Sequence, residues 1–126
     1  MTEAVDHVRE RIRKAAMAAG RDPGEIRIVA VSKTVPADRV RDAVAAGISI
    51  VGENYIQEAR KKATELSRLP ICWHFIGHLQ SNKSKYAVRI FDLIHTVDSL
   101  KLAEELHEQA KKISKKKVET YCKTMT

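Results

Sequence analysis

The sequence is poor in the residues that mark several classes of protein. Its only two cysteines, Cys72 and Cys122, have the spacing of neither a metal site nor a redox pair. Its glycines are few, and Gly52 and Gly77 stand singly rather than in a phosphate loop with several glycines. A charged segment leading into an apolar leader is absent, as is any long apolar run. We therefore expect a cytoplasmic protein with no membrane span.

Positive charge is in excess, with 23 Lys and Arg against 16 Asp and Glu and a formal net charge of +7. Such a balance permits contact with nucleic acids or anionic surfaces but says nothing about the fold. Part of the excess is a lysine cluster near the end of the sequence, formed by Lys111, Lys112, Lys115, Lys116 and Lys117. A solvated chain end explains this cluster, and a specific anion site is the alternative. We predict neither a specific nucleic-acid partner nor a membrane partner.

Hydrophobic periodicity predicts an α/β fold with parallel strands. An amphipathic helix begins at Thr2 and is followed by Gly20, which suits a left-handed stop. Short β-branched runs, separated by helical patterns, predict four strands at residues 28–34, 48–54, 71–77 and 93–97. The order α-βα-βα-βα-βα with short connections indicates a parallel sheet with right-handed crossovers. Four such strands are half of a (β/α) barrel, which typically needs about 250 residues.

Lys33 ends the first predicted strand and is the first candidate for chemistry. Strand alternation places Val29, Val31 and Lys33 on one face, at the carboxyl end where barrel proteins carry their active groups. We expect this amine to be partly desolvated, which favours the neutral form that attacks a carbonyl carbon to give a Schiff base. The alternative is a strand-end lysine that simply extends into water.

Polar residues at the ends of the other strands are further candidates. Asn54 shares a strand face with Gly52, so its amide can point into the same space as Lys33; the alternative is an asparagine that satisfies loop backbone. His74, His78 and His95 suggest a metal site, but no further ligand falls at a suitable spacing, and we predict no metal.

Four separated blocks of the sequence together resemble a known family, the pyridoxal-phosphate homeostasis proteins of the YggS/PROSC type. The blocks are Ala30-Val31-Ser32-Lys33-Thr34, Gly52-Glu53-Asn54-Tyr55-Ile56-Gln57-Glu58, Trp73-His74-Phe75-Ile76-Gly77-His78-Leu79-Gln80-Ser81-Asn82-Lys83 and His95-Thr96-Val97-Asp98. The resemblance runs from the first helix to about Lys112. It implies a partial (β/α) barrel of fold type III, similar to the N-terminal domain of alanine racemase.

The resemblance also implies a cofactor and its contacts. Pyridoxal 5'-phosphate is expected as an aldimine on Lys33, with Asn54 near the ring and with His78, Ser81 and Asn82 in a loop that borders the site. The implied role is not catalytic: the protein holds the cofactor, keeps the free aldehyde low, and supplies apoenzymes that depend on pyridoxal phosphate.

The sequence departs from the family pattern in its length. Family members are nearly twice as long, and their second half supplies an arginine facing the pyridine nitrogen and the turns that bind phosphate. We therefore predict a partial cofactor-binding barrel domain at 1–112 and a lysine-rich tail at 113–126, disordered or aberrant. A frameshift or a premature end of the coding sequence explains such a tail, and the alternative is a natural short protein whose tail binds an anionic partner. Binding is expected to be weak or lost unless a partner completes the site. The open sheet edges predict a homo-oligomer.

Two other functions stay open at this point. A racemase-like enzyme on the same fold would need a second acid–base residue, and the sequence reveals none. A non-catalytic scaffold would use the basic tail instead of Lys33.

Overall fold

The computed structural model describes residues 1–113, which form alternating helices and strands. The elements are α1 (Thr2–Ala18), β1 (Ala30–Val31), α2 (Ala37–Ala45), β2 (Ile50–Glu53), α3 (Ile56–Glu65), β3 (Cys72–Phe75), α4 (Ser84–Ile90), β4 (Leu93–Ile94) and α5 (Leu100–Ile113), with short 3-10 turns at Pro23–Glu25 and Ser81–Lys83. Within this part of the chain, no helix has both the length and the apolar character needed to cross a bilayer. The predicted tail lies outside the described residues from position 114 onward.

The four strands form one sheet in the order β1-β2-β3-β4, and every neighbouring pair is parallel. Val31 is paired with Gly52, Gly52 with His74, and His74 with Leu93, so these residues form one row across the sheet. The predicted α/β fold and parallel sheet are therefore confirmed. In this order β1 and β4 are the two edges, and among residues 1–113 each has a hydrogen-bonded neighbour strand on one side only.

The main core lies between the sheet and its helices. Val51 and Phe75 point into it from the central strands and are 1% exposed, and they pack in one cluster with Ala59, Leu66 and Leu102. A smaller cluster of Val29, Ile50 and Cys72 lies apart from the main core. Burial of the apolar helix faces against the sheet is the dominant stabilising contribution to such a fold.

The edge strands differ from their prediction. The run 28–34 was expected to form a strand of a parallel sheet, whose strands are commonly buried on both faces, but β1 has two residues and Val31 is 53% exposed. Leu93 in β4 is 47% exposed. The central strands β2 and β3 are buried throughout. This contrast follows from position, since an edge strand has a neighbour on one side only.

Two helix ends carry residues that commonly terminate or cap helices. Gly20 follows α1 with a φ of 69°, the left-handed conformation expected there. At the start of α5, the Ser99 hydroxyl accepts a hydrogen bond of 3.1 Å from the backbone N–H of Leu102, which is an N-terminal cap.

Candidate site at the carboxyl edge of the sheet

Lys33 lies in the turn that follows β1, and its side chain is exposed. The Ser32 N–H donates to the Gly52 carbonyl at 3.0 Å, which carries the pairing with β2 one residue past the strand. The Val35 N–H then donates to the Ser32 carbonyl at 3.0 Å and closes the turn around Lys33. The expectation of a partly desolvated amine on a strand face is therefore wrong, because the chain leaves the sheet before it reaches Lys33, and the alternative of a lysine that extends into water is the one observed.

Beneath this turn lies a cluster of charged and polar groups, formed by buried Ser32, Glu53 and Lys62 with the partly buried Glu58 at its margin, which we call the buried cluster. Glu53 is fully buried and Lys62 is 5% exposed. The Lys62 ammonium donates to Glu53 Oε2 at 3.0 Å, to Glu58 Oε1 at 2.8 Å, and to the Ser32 carbonyl. The Ser32 hydroxyl donates to Glu53 Oε2. An ammonium has three donors, so Lys62 is saturated by partners from three elements of the chain.

Glu58 connects this cluster to the residue after Lys33. Its Oε1 also accepts a hydrogen bond of 2.5 Å from the backbone N–H of Thr34. The hydrogen bond from Lys62 holds the pKa of Glu58 below its usual value, with smaller support from the Thr34 N–H against the opposing effect of burial. Thr34 has a φ of 62°, a left-handed conformation that is unusual for a β-branched residue.

Asn54 follows β2 and carries an unsatisfied group. Its amide Oδ1 is buried and accepts no hydrogen bond from any of the residues 1–113. The end of β3 approaches it so closely that a Cβ on Gly77 would lie 2.3 Å from the Asn54 carbonyl oxygen. Only glycine is tolerated at such a separation. The buried oxygen is available to accept a hydrogen bond from a ligand.

Asn54 and His78 line one cleft of about 570 Å³. The lining also includes Tyr55, Gln57, Gln80 and Lys83, together with apolar groups from Ile56, Phe75, Gly77 and Leu79. Its size and mixed lining are typical of small-molecule sites. The predicted site residues Ser81 and Asn82 form the neighbouring 3-10 turn and do not line the cleft. Lys33 does not line it either, although it lies at the same edge of the sheet.

The three histidines of the metal hypothesis are divided between two places. His74 is buried in β3, and its Nδ1 lies 2.9 Å from His95 Nε2. Burial, with smaller effects of His95 and Arg27, lowers the pKa of His74 to about 4. His78 is exposed in the cleft. Among residues 1–113 no three potential ligands lie close enough together to hold a metal ion.

The sequence interpretation missed the pairing of Glu53 with Lys62. A signal for it exists, because Lys62 follows the buried residue Ala59 by three positions and precedes the buried Leu66 by four, which places it on the buried face of α3. Its partner Glu58 is four positions before it on the same helix face. A lysine on a buried helix face is almost never left without an anionic partner, and here Glu53 in the sheet and Glu58 on the helix are its partners.

Comparison with known proteins gives consistent results. The sequence pattern of the family described as "Alanine racemase, N-terminal domain" matches residues 4–124. The pyridoxal phosphate homeostasis protein of Pseudomonas aeruginosa is 52% identical over 109 residues, which are 86% of this chain and 47% of that protein. The protein of the same name from Escherichia coli K12 is 46% identical over 105 residues, 81% of this chain and 45% of that protein. The chain thus spans about half the length of these curated relatives.

Solved structures show the same fold. PipY of Synechococcus elongatus, solved with pyridoxal phosphate bound, matches with a TM-score of 0.71 and 44% identity over 82% of this chain and 49% of its own. A protein from Bifidobacterium adolescentis matches with a TM-score of 0.83 and 35% identity over 90% of this chain and 50% of its own.

Proposed function

Because this chain belongs to the family of alanine racemase N-terminal domains, we propose that it binds pyridoxal 5'-phosphate through Lys33 and holds the cofactor without catalysing a reaction on it. The observation that carries the proposal is the pair of groups at the ends of neighbouring strands: the exposed amine of Lys33 after β1 and the unsatisfied amide oxygen of Asn54 after β2. The PipY structure with bound pyridoxal phosphate supports the choice of ligand.

The described residues fit the ring end of this cofactor. The buried Asn54 oxygen lacks a donor, and a ligand in the cleft can supply one. Ile56, Phe75 and Leu79 give the cleft apolar walls, and Lys83 adds a positive charge to its lining. When bound, the cofactor supplies an aldehyde carbon that an amine can attack. In this proposal Lys33 provides the amine, while Asn54 and His78 orient the ring.

The phosphate end has less support from this chain. The turns that bind phosphate in such barrels commonly follow the last strands, and the structure describes four strands. We therefore expect pyridoxal and its phosphate to bind with similar affinity. Isothermal titration with each compound tests this, and a strong preference for the phosphorylated form would show that the chain has a phosphate site that we have not identified.

Trapping the bound aldehyde tests the choice of Lys33. We expect that borohydride reduction after addition of pyridoxal phosphate, followed by peptide mapping, labels Lys33 first. Lys33→Ala removes this label, whereas Lys101→Ala, which removes an exposed lysine of α5, leaves it unchanged. Equal labelling of many surface lysines would contradict the assignment.

We further propose that the chain carries the cofactor to apoenzymes in the cytoplasm. An exposed Lys33 is accessible to solvent and to a second protein, which suits release. The names of the relatives, which refer to homeostasis, favour a carrier over a racemase. Recovery of activity by an apo-aminotransferase mixed with the loaded chain tests transfer. Racemisation of alanine by the loaded chain would contradict the absence of catalysis.

The exposed sheet edges support a proposal of self-association. Val31 and Leu93 expose about half of their surfaces on the strands β1 and β4. Two copies that pair these edges would cover both. We expect a dimer or larger species by light scattering, and expect Leu93→Lys to weaken it. A monomer at high concentration would contradict this.

A further inference from the structure

The turn that carries Lys33 is held from both sides by the buried cluster of Ser32, Glu53, Glu58 and Lys62. Before Lys33, the Ser32 carbonyl accepts from Lys62, and its hydroxyl donates to Glu53. After Lys33, the Thr34 N–H donates to Glu58 at 2.5 Å. The hydrogen bonds before and after Lys33 therefore both lead to the Lys62 ammonium, which also contacts Glu53 at 3.0 Å and Glu58 at 2.8 Å.

Thr34 gives a reason for these contacts. Its φ of 62° is sparsely populated by residues other than glycine and asparagine. A conformation of this kind persists only where surrounding groups over-determine it. The hydrogen bond to Glu58 supplies such a constraint, because it is charge-assisted and joins the Thr34 backbone to α3. Without this hydrogen bond, Thr34 can adopt an extended backbone conformation more easily. Such a change would redirect the Lys33 side chain.

The burial of Glu53 and Lys62 also indicates that the cluster constrains the turn. A fully buried carboxylate paired with a buried ammonium is often no more stabilising than apolar residues of the same shape. The charged pair makes directional hydrogen bonds with the Ser32 carbonyl and hydroxyl, which an apolar pair cannot make. The cluster therefore specifies one conformation of the turn, in addition to filling space between β2 and α3.

We propose that Glu58 and Lys62 are positioning residues that hold the Ser32–Thr34 turn so that the amine of Lys33 points to the cofactor at the carboxyl edge of the sheet. This inference rests on the proposed function for its purpose, but the constraint on the turn can be measured without any cofactor. Glu58 is the better residue to change, because its side chain is 28% exposed and its loss leaves the Glu53–Lys62 pair in place.

The first measurement is amide hydrogen exchange at Thr34 in the chain without cofactor. Glu58→Ala removes the acceptor, and we expect the Thr34 N–H to exchange about tenfold faster or more, as for loss of a hydrogen bond to a charged group. Glu58→Gln keeps an acceptor oxygen but not its charge, and should therefore retain part of the protection. Glu65→Ala removes an exposed carboxylate from the same helix and is the matched control. Unchanged exchange at Thr34 in Glu58→Ala would overturn the inference.

The second measurement is the rate of borohydride trapping of pyridoxal phosphate on Lys33. We expect this rate to fall in Glu58→Ala and to recover in Glu58→Gln. Acetylation of Lys33 by acetic anhydride needs only an exposed amine and should not change in either variant, which separates positioning from general unfolding. Thr34→Gly should restore trapping in the Glu58→Ala background, because glycine adopts the left-handed conformation without help.

The outcomes distinguish this inference from the proposed function. Faster exchange at Thr34 with unchanged trapping at Lys33 would overturn the positioning role. If Thr34 responds as expected but the parent chain shows no selective trapping at Lys33, then the constraint on the turn stands and the proposed cofactor binding is what fails.

Discussion

Replacing Lys62 by methionine gives the sharpest test of the buried cluster. Methionine keeps the apolar stem of the side chain but removes the ammonium, so fully buried Glu53 loses its cationic partner and the Ser32 carbonyl loses a donor. Breaking a buried ion pair in this way costs about 3–5 kcal/mol. That is a large share of the ~5–15 kcal/mol that separates folded from unfolded domains.

Urea denaturation followed by circular dichroism measures this loss. With a slope of about 1–3 kcal/mol per molar urea, the midpoint should fall by at least about 1 M while the slope is unchanged. Lys61→Met is the matched control, because Lys61 is the exposed neighbour on the same helix and its loss should have little effect. A cost below about 1 kcal/mol for Lys62→Met would refute the reasoning, since that value is typical of an exposed pair.

A double variant supplies a further readout of the same pair. Adding Glu53→Gln to Lys62→Met should recover stability, since the buried group is then a neutral amide that needs no cation. A double variant that loses the full sum of the two single changes would show that the groups are not coupled.

Two other changes test the geometry around the site. Gly77→Ala should destabilise the fold by about 1–3 kcal/mol and displace Asn54, because the new Cβ would lie 2.3 Å from the Asn54 backbone oxygen, which cannot move aside. Gly24→Ala is the control, since its new Cβ meets the nearest atom at 3.4 Å and should be tolerated. The urea midpoints of the two variants measure the difference. Burial lowers the pKa of His74 to about 4 from an ordinary 6.5. The unfolded chain therefore binds a proton at a higher pH than the folded chain does, so the free energy of unfolding should fall as the pH drops from about 6.5 to about 4. Loss of this pH dependence in His74→Phe would support the assignment, and an unchanged dependence would contradict it.

The type and order of the elements could be predicted from the sequence, but the lengths of the strands could not. Apolar runs of strand length alternate with helical stripes, and this order admits few topologies other than a parallel sheet. The first run was expected to form a strand over 28–34, whereas β1 includes Ala30 and Val31 alone. An apolar run indicates which residues are buried. The length of a strand depends also on how many neighbouring strands offer hydrogen bonds to it.

The location of the candidate site was predictable in the same partial way. Carboxyl ends of parallel strands share one edge, and this is enough to place Lys33 and Asn54 at neighbouring positions. The exposure of Lys33 was stated only as an alternative, because it depends on the turn closed by the Val35–Ser32 hydrogen bond and on what lies beside an edge strand. Alternation along a strand predicts the direction of a side chain only while the strand continues.

The Glu53–Lys62 pair shows how such a feature can be found from sequence. Each residue by itself breaks a local rule: Glu53 ends a strand in which all residues are buried, and Lys62 stands on the buried face of a helix. Taken singly, each violation counts against the element that contains it. Taken together, they have opposite charge and lie on a strand and on the helix that follows it, which a right-handed crossover packs against each other. Two buried residues of opposite charge that can pair therefore support the assignment of both the strand and the helix. They also indicate where to look for a buried cluster that holds a neighbouring turn.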